Sequence, residues 1–231
     1  MPVRSSNETD PDVRSSQTSA SAIHARLRHD ILRGVLMPGE RLRVHDVAQR
    51  YGGGTIPTRE ALSRLSAELL VIYLDQRGFA VAPISRESLE DLTRARVWTA
   101  EAAVREAVRH GDSAWEERVL LAYHRLSKVP RYESEDPPVQ NEAFDPLHRE
   151  FHRQIFSGCG SQWMEETCMR LFDHAERYRN LSRQATVMPR EDEHRELVDA
   201  LLQRSEALAV GLISDHFRLT AEIVIDFGQV E

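Results

Sequence analysis

Long apolar runs are missing from this sequence. Nothing in its 231 residues approaches the ~20 consecutive apolar residues of a membrane-spanning helix. The opening stretch MPVRSSNETDPDVRSSQTSASA holds no apolar core of the kind a secretory signal needs. Cysteine is scarce: Cys159 and Cys168 are the only two. That excludes a disulfide framework and fits a reducing compartment, so the expectation is a cytoplasmic protein with no membrane partner. Also absent is an excess of positive charge. The net charge is −7, which taken alone argues against a nucleic-acid partner. The charge is unevenly spread, however. Residues 20–85 hold nine Arg against six Asp plus Glu, a net +3, whereas residues 1–19 sum to −1 and residues 86–231 to −9. Any nucleic-acid surface therefore belongs to the first third of the chain.

The length fits one or two domains. Residues 1–20 are rich in Ser, Thr and Asp, almost without apolar side chains, and read as a disordered tail. Ile23, Leu27, Ile31 and Leu32 then recur at helical spacing, and Gly34 with Met37-Pro38-Gly39 ends that helix. A short second helix over residues 44–51 stops at Gly52. A third is expected over residues 55–69. Two β-rich stretches, 70–74 and 79–84, flank the turn Asp75-Gln76-Arg77-Gly78 and predict a hairpin. Three helices followed by a hairpin make a winged helix-turn-helix over residues 21–85.

Beyond Ser85 the β signal fades. Apolar periodicity predicts helices over residues 88–110, 113–126, 162–181, 190–203 and 206–225. The stretch KVPRYESEDPPVQNEAFDP reads as an acidic, Pro-rich loop, and Asp145-Pro146 as the N-cap and first residue of one more helix. The fold class is thus mainly α: an N-terminal winged helix-turn-helix and, over residues 86–231, an antiparallel all-helical bundle of about six helices.

Two clusters carry chemistry. On the third helix, a projection at 100° per residue turns Thr58, Ala61, Leu62, Leu65 and Leu69 inward, and leaves Ile56, Arg59, Glu60, Ser63 and Arg64 on the other face. Arg59 lies in the first turns, where helix-turn-helix proteins touch base edges, and Arg is the commonest bidentate partner of guanine. Ile56 offers only apolar contact. Thr55 sits at the helix N-terminus, whose free N–H groups can hold a phosphate, and Arg77 and Gly78 sit at the hairpin tip. Each arginine singly is equally an ordinary solvated side chain; the order of elements favours DNA.

The second cluster is four of the ten histidines. His148 and His152 are four apart on one helix and share a side. His194 and His216 fall on the inward stripes of two further helices. Three helices can thus bring four imidazoles into one core, which is how bundles build metal sites. The same pattern is also that of hydrogen-bonded core histidines, and the spacing alone does not decide between them.

The segments GVLMPGERL, DVAQRYG, PTREALSRLSAELLV and RGFAVAPIS, within residues 23–85, resemble the GntR family of bacterial transcription regulators. The sequence departs from the family pattern at Thr55, where a contacting Arg is usual, at Thr58, where Val is usual, and at Leu69, where Gly is common. The resemblance therefore carries DNA contact over to Arg59 and not to position 55. Residues 88–226 resemble the all-helical effector domain, FCD, of the FadR-type branch. Its Asp-x-x-x-His, Glu-His and final His fall here on His148 and His152, Glu193-His194, and His216. His148 thus stands where the family has Asp. This implies a divalent transition metal held by His148, His152, His194 and His216, with Zn or Ni favoured over Mn or Mg by an all-imidazole set. Asp145 is a further candidate ligand. The resemblance also implies a small carboxylate effector beside the metal, with Arg96, Tyr178 and Arg179 lining its cavity.

The function expected is that of a ligand-responsive repressor, a homodimer on a palindromic DNA operator, released by its effector. A metal sensor, in which the metal is itself the signal, is the nearest alternative. A helical metalloenzyme is the third, and it lacks a carboxylate at HExxH-like spacing to act as general base.

Overall fold

The computed structural model describes residues 11–75, 77–135, 138–181 and 193–227. It divides into two compact units, residues 1–83 and 84–231.

The first unit contains α1 (Pro11–Leu32), β1 (Arg41–Leu42), α2 (Val44–Tyr51), α3 (Thr55–Ala67), β2 (Val71–Leu74) and β3 (Gly78–Val81). α1 starts inside the stretch whose composition reads as a tail, and Ala20 on it is fully buried. Residues 1–10 lie outside the described residues. Ile23, Leu27 and Ile31 of α1 meet Ala61, Leu62 and Leu65 of α3, along with Val47, Tyr51, Phe79 and Val81. The hairpin forms as expected, with Tyr73 opposite Phe79 and Leu74 opposite Gly78. β1 adds a third antiparallel strand on the far side of β3, giving the order β1-β3-β2.

Thr58 is buried on the inward face of α3, its hydroxyl donating to the Gly54 carbonyl at 2.8 Å. A Thr is thus accommodated where an apolar side chain is usual, because its one donor is satisfied within the helix. Leu69 differs from expectation. The helix ends at Ala67, and Leu69 is 73% exposed with φ +62°, a left-handed conformation. The N–H groups of Leu70 and Leu69 donate to the Leu65 and Ser66 carbonyls at 3.0 and 3.1 Å, the double bond of a Schellman cap. A projection that continues the helical period past such a cap assigns the wrong side. Leu70 takes the buried place instead.

The second unit holds the six expected helices: α4 (Arg86–His110), α5 (Ser113–Leu126), α6 (Phe144–Ser157), α7 (Gln162–Leu181), α8 (Glu193–Leu202) and α9 (Glu206–Phe227). Ser85 and Asp112 cap α4 and α5, accepting from the N–H groups of Ser88 and Trp115 at 3.1 and 2.7 Å. The core runs along Val97, Val104, Trp115, Phe151, Phe172, Leu201 and Phe217. Ala100, Ala103 and Ala107 on α4 are fully buried, and small side chains there let neighbouring helices approach closely.

Two further expectations are corrected here. The acidic, Pro-rich stretch is no simple loop: it forms the antiparallel pair β4 (Tyr132–Glu135) and β5 (Pro138–Gln140). Residues such as Glu, Ser and Pro have low strand propensity, so composition hides a ladder made of backbone bonds. Asp145 is not an N-cap. α6 begins one residue earlier, and Asn141 prepares its start by accepting from the Ala143 N–H at 3.0 Å. Among the described residues, no helix is long and apolar enough to cross a membrane.

Candidate functional site

The exposed face of α3 presents Thr55, Ile56, Arg59, Ser63 and Arg64 to solvent. Ile56 is 80% exposed, a large apolar side chain with no intramolecular reason to be there. Arg59 makes no hydrogen bond or ion pair among the described residues, so all five of its donors are available. Arg64 is tied back, to Glu60 along the helix and to Ser21 Oγ at 3.2 Å. Arg77 is exposed at the hairpin tip beside Gly78, whose φ of +85° makes the turn. The sequence did not single out Tyr73. It stands exposed on β2, packs edge-on against Phe79 with ring centres 5.5 Å apart, and lines a groove of about 420 Å³ together with Arg59 and Ser63.

In the second unit, α6 delivers His148 and His152, α8 delivers His194 and α9 delivers His216. One ring nitrogen of each lies within 4.8 Å of all the others. A tetrahedral metal with metal–nitrogen bonds of about 2.0–2.1 Å needs its ligand nitrogens roughly 3.4 Å apart, and the Nε2 atoms of His148 and His152 are 3.2 Å apart. Nε2 of His194 is buried with no hydrogen-bond partner among the described residues. Buried polar atoms are normally paired, so an orphaned imidazole nitrogen in this cluster points to a ligand it would hold. The donor set and its spacing fit a divalent transition metal. Asp145 is not in the group; its carboxylate lies 3.5 Å from Nη2 of Arg179.

Burial pushes all four imidazoles below the usual histidine range, and His148, His152 and His194 well below it. For His148 and His194 the Arg179 charge adds to this, and for His152 and His216 both Arg96 and Arg179 do. Neutral imidazoles are the form that binds metal. Glu193 accepts from Nδ1 of His216 at 2.9 Å, which fixes that ring's tautomer and leaves its Nε2 bare. The Glu193-His194 dipeptide was visible in the sequence, but the role of its carboxylate toward a histidine on another helix was not.

Two buried guanidiniums, Arg96 and Arg179, act on the histidines. Arg96 is buried, its Cζ 3.8 Å from the ring centre of Phe217, and burial lowers it to about 10. Arg179 is bonded to Glu176 and reaches Nδ1 of His148 at 3.2 Å. Arg131, just before β4, belongs to the same electrostatic neighbourhood; burial lowers it to about 10, opposed by Glu176 and Asp145. Nothing in the spacing announces Arg131, because only the unexpected hairpin places it. Tyr178 lies elsewhere, in a small apolar cluster with Leu89, Ala221 and Val224.

The histidine cluster and the helix-turn-helix sit in segments that known families share. Residues 19–81 match the model for bacterial regulatory proteins of the gntR family, and residues 91–219 match the FCD domain. The chain is 36% identical over 211 residues to the HTH-type transcriptional regulator BphR of Paraburkholderia xenovorans, covering 90% of this chain and 85% of that protein. It is 36% identical over 204 residues to the HTH-type transcriptional repressor GlaR of Escherichia coli, covering 86% and 92%. Two solved structures share its fold. Escherichia coli McbR/YncC has a TM-score of 0.70 at 17% identity, over 90% of this chain and 97% of that one. A GntR regulator from Rhodococcus sp. RHA1 has a TM-score of 0.72 at 22% identity, over 90% and 98%. With its exposed helix and wing ahead of a helical domain, the chain belongs to the GntR family of DNA-binding transcriptional regulators, with an FCD domain, and the families and relatives it matches are transcriptional regulators and not enzymes.

Proposed function

We propose that this regulator responds to a small carboxylate that binds at a metal held by His148, His152, His194 and His216. The observation that carries the reading is the convergence of four neutral imidazoles, three of them buried, with one ring nitrogen of each within 4.8 Å of the others, beside the buried cations Arg96 and Arg179. A carboxylate would have to add to the metal as a further ligand beyond the four imidazoles, or displace one of them, and it would be neutralised by the guanidiniums, which form charge-assisted hydrogen bonds to such groups. Imidazole donors without a carboxylate favour Zn or Ni. Tyr178, packed among apolar side chains, has a weaker claim to the effector than Arg96 and Arg179.

On the DNA side the regulator acts as a homodimer on a two-fold operator, one α3 per half-site. Arg59 reads bases, Ile56 meets a thymine methyl, and Thr55, Ser63 and Arg64 make accessory contacts. Arg77 and Gly78 of the wing approach the backbone. Repression relieved by effector is the expected sense, in keeping with the similarity to the Escherichia coli transcriptional repressor GlaR.

The test pairs metal content with operator binding. Purified protein is expected to carry about one Zn or Ni per chain by elemental analysis. A His152→Ala/His194→Ala variant is expected to carry none, and to bind the operator in a gel shift regardless of added carboxylate. Equal metal in both proteins would falsify the site. The metal-sensor reading predicts a different pattern: chelation alone shifts operator affinity, and no carboxylate does.

A further inference from the structure

The groove between α3 and the wing is lined by donors that nothing in the winged unit uses. Arg59, Ser63, Ser66 and Ala67 recur on α3 at i, i+4, i+7 and i+8, which places them on one stripe of the helix. Tyr73 of β2 and Phe79 of β3 face them, and these six residues enclose about 420 Å³. Ala67 and Phe79 supply its apolar part. The guanidinium of Arg59 and the hydroxyls of Ser63, Ser66 and Tyr73 supply the rest, and none of these four side chains makes a hydrogen bond or ion pair among the described residues. No carboxylate lines the groove. The two acids of α3 are engaged elsewhere: Glu60 with Arg64, and Glu68 with His24 and Arg28 of α1 at 2.6 and 3.0 Å. Free donors without an acid suit a partner that is anionic and only accepts.

The position of the groove on the motif selects that acceptor. The first turns of a recognition helix meet base edges, and they carry Ile56 and Arg59. Ser63 and Ser66 lie one and two turns further on, across from the wing. Ser, Tyr and Arg are common donors to DNA phosphates, and such contacts fix how the protein sits on the duplex. We propose that this groove seats one DNA strand at a backbone phosphate, with the Tyr73 hydroxyl donating from the wing side and Ser63 and Ser66 from the helix side. Arg59, at the N-terminal end of the stripe, stays with the bases. Tyr73 suits the role because its ring is held in place. It is paired directly opposite Phe79 and packs edge-on against it, with ring centres 5.5 Å and planes 72° apart. A phenol has only two side-chain torsions, so little freedom is lost on binding. A phosphate is the same at every base pair, so Tyr73 orients the duplex without selecting its sequence. Its hydroxyl is neutral, so this bond displaces no counterion. The inference rests on the placement of α3 on DNA proposed above.

The test compares the wild type with Tyr73→Phe, which keeps the ring and its packing on Phe79 and removes only the hydroxyl. Two short fluorescent duplexes serve as probes, one of mixed sequence and one that the wild type enriches from a random library. Tyr73→Phe is expected to weaken binding to both by a similar factor, about tenfold, the scale of a hydrogen bond to a charged group. The slope of log affinity against log salt should stay at its wild-type value. Neutral methylphosphonates placed singly along the selected duplex then locate the contact. At one position per half-site the wild type should lose more affinity than Tyr73→Phe, which has already lost that bond. Ser63→Ala/Ser66→Ala should single out the same position. Unchanged affinity of Tyr73→Phe, or methylphosphonate losses equal in wild type and variant at every position, overturns the inference. A loss confined to the selected duplex overturns it as well, because Tyr73 would then read bases. Arg59→Ala, measured alongside, keeps the two readings apart. If it loses specificity while Tyr73→Phe binds as the wild type does, α3 reads DNA and the groove holds no phosphate. If neither variant loses affinity, the placement of α3 fails together with the groove.

Discussion

The winged unit wears its functional groups outside and the helical unit keeps them inside. Arg59 and Ile56 stand in solvent on α3 over a core that is almost purely apolar. Arg96, His148, His152 and His216 are buried amid Phe172 and Phe217, in the midst of the helical core. On the proposed function the two arrangements would answer to different partners. A duplex brings its own charge and needs a rigid convex face. A small anion or a metal must be stripped of water, and the cations that hold it are strongest where the dielectric is low. The cost also differs. Exposed groups on α3 add nothing to the folding problem, whereas buried imidazoles and guanidiniums must be satisfied by ligand or by one another.

Metal removal should break this symmetry most visibly. If the four imidazoles hold a metal at a free concentration a thousand times its Kd, chelation withdraws about 4 kcal/mol from the helical unit. Its unfolding transition should fall by many degrees while that of the winged unit stays put. Calorimetry with and without chelator reads this directly, and two transitions that move together would place the metal's effect outside the helical unit.

Next in size is Arg59→Ala. Losing one bidentate base contact costs about 1–3 kcal/mol of discrimination, so specific operator affinity should fall roughly tenfold to a hundredfold or more. Because Arg59 makes no hydrogen bond or ion pair among the described residues, the unfolding temperature should not change. Fluorescence anisotropy on operator and on random duplex measures both losses, and a variant that keeps wild-type specificity would move base reading to another residue of α3.

Glu193→Gln comes third. The carboxylate orients His216 from beyond the centre, and such supporting partners are typically worth tenfold to a hundredfold in metal affinity. Chelator competition should show a loss in that range with operator affinity of the metal-free protein unaltered. A loss as complete as that of the His152→Ala/His194→Ala pair would make Glu193 a ligand itself.

The same contrast explains what could be read from the sequence. The winged unit was legible because each of its decisive residues acts locally. Gly52 ends α2, Gly78 turns the hairpin, and the helical period of Ile23, Leu27 and Ile31 writes the core directly. In the helical unit the period placed all six helices and the four histidines. What surrounds the histidines depends on contacts between residues far apart in sequence: Glu193 with His216 and Arg179 with His148. No local period encodes those. The β4–β5 pair escaped for a related reason, because its ladder is made by backbone groups that every residue carries.

The smallest effect sharpens the comparison from the winged side. Leu69 occupies the left-handed cap of α3 with its side chain 73% exposed. A side chain in that conformation costs roughly 1–2 kcal/mol, and the exposed leucine recovers little of this through burial. Glycine would relieve the strain but bring a more flexible unfolded chain, worth roughly 0.5–1 kcal/mol in the other direction. The net expectation for Leu69→Gly is a stabilisation of up to about 1 kcal/mol, confined to the winged unit. Leu69→Ala separates conformation from side-chain loss, since alanine keeps a Cβ and hence the strain, and it should leave stability nearly unchanged. Denaturant titration of the three proteins decides the matter. If glycine lowers the midpoint as alanine does, the leucine is contributing contacts and its left-handed conformation is not what limits the stability of this cap.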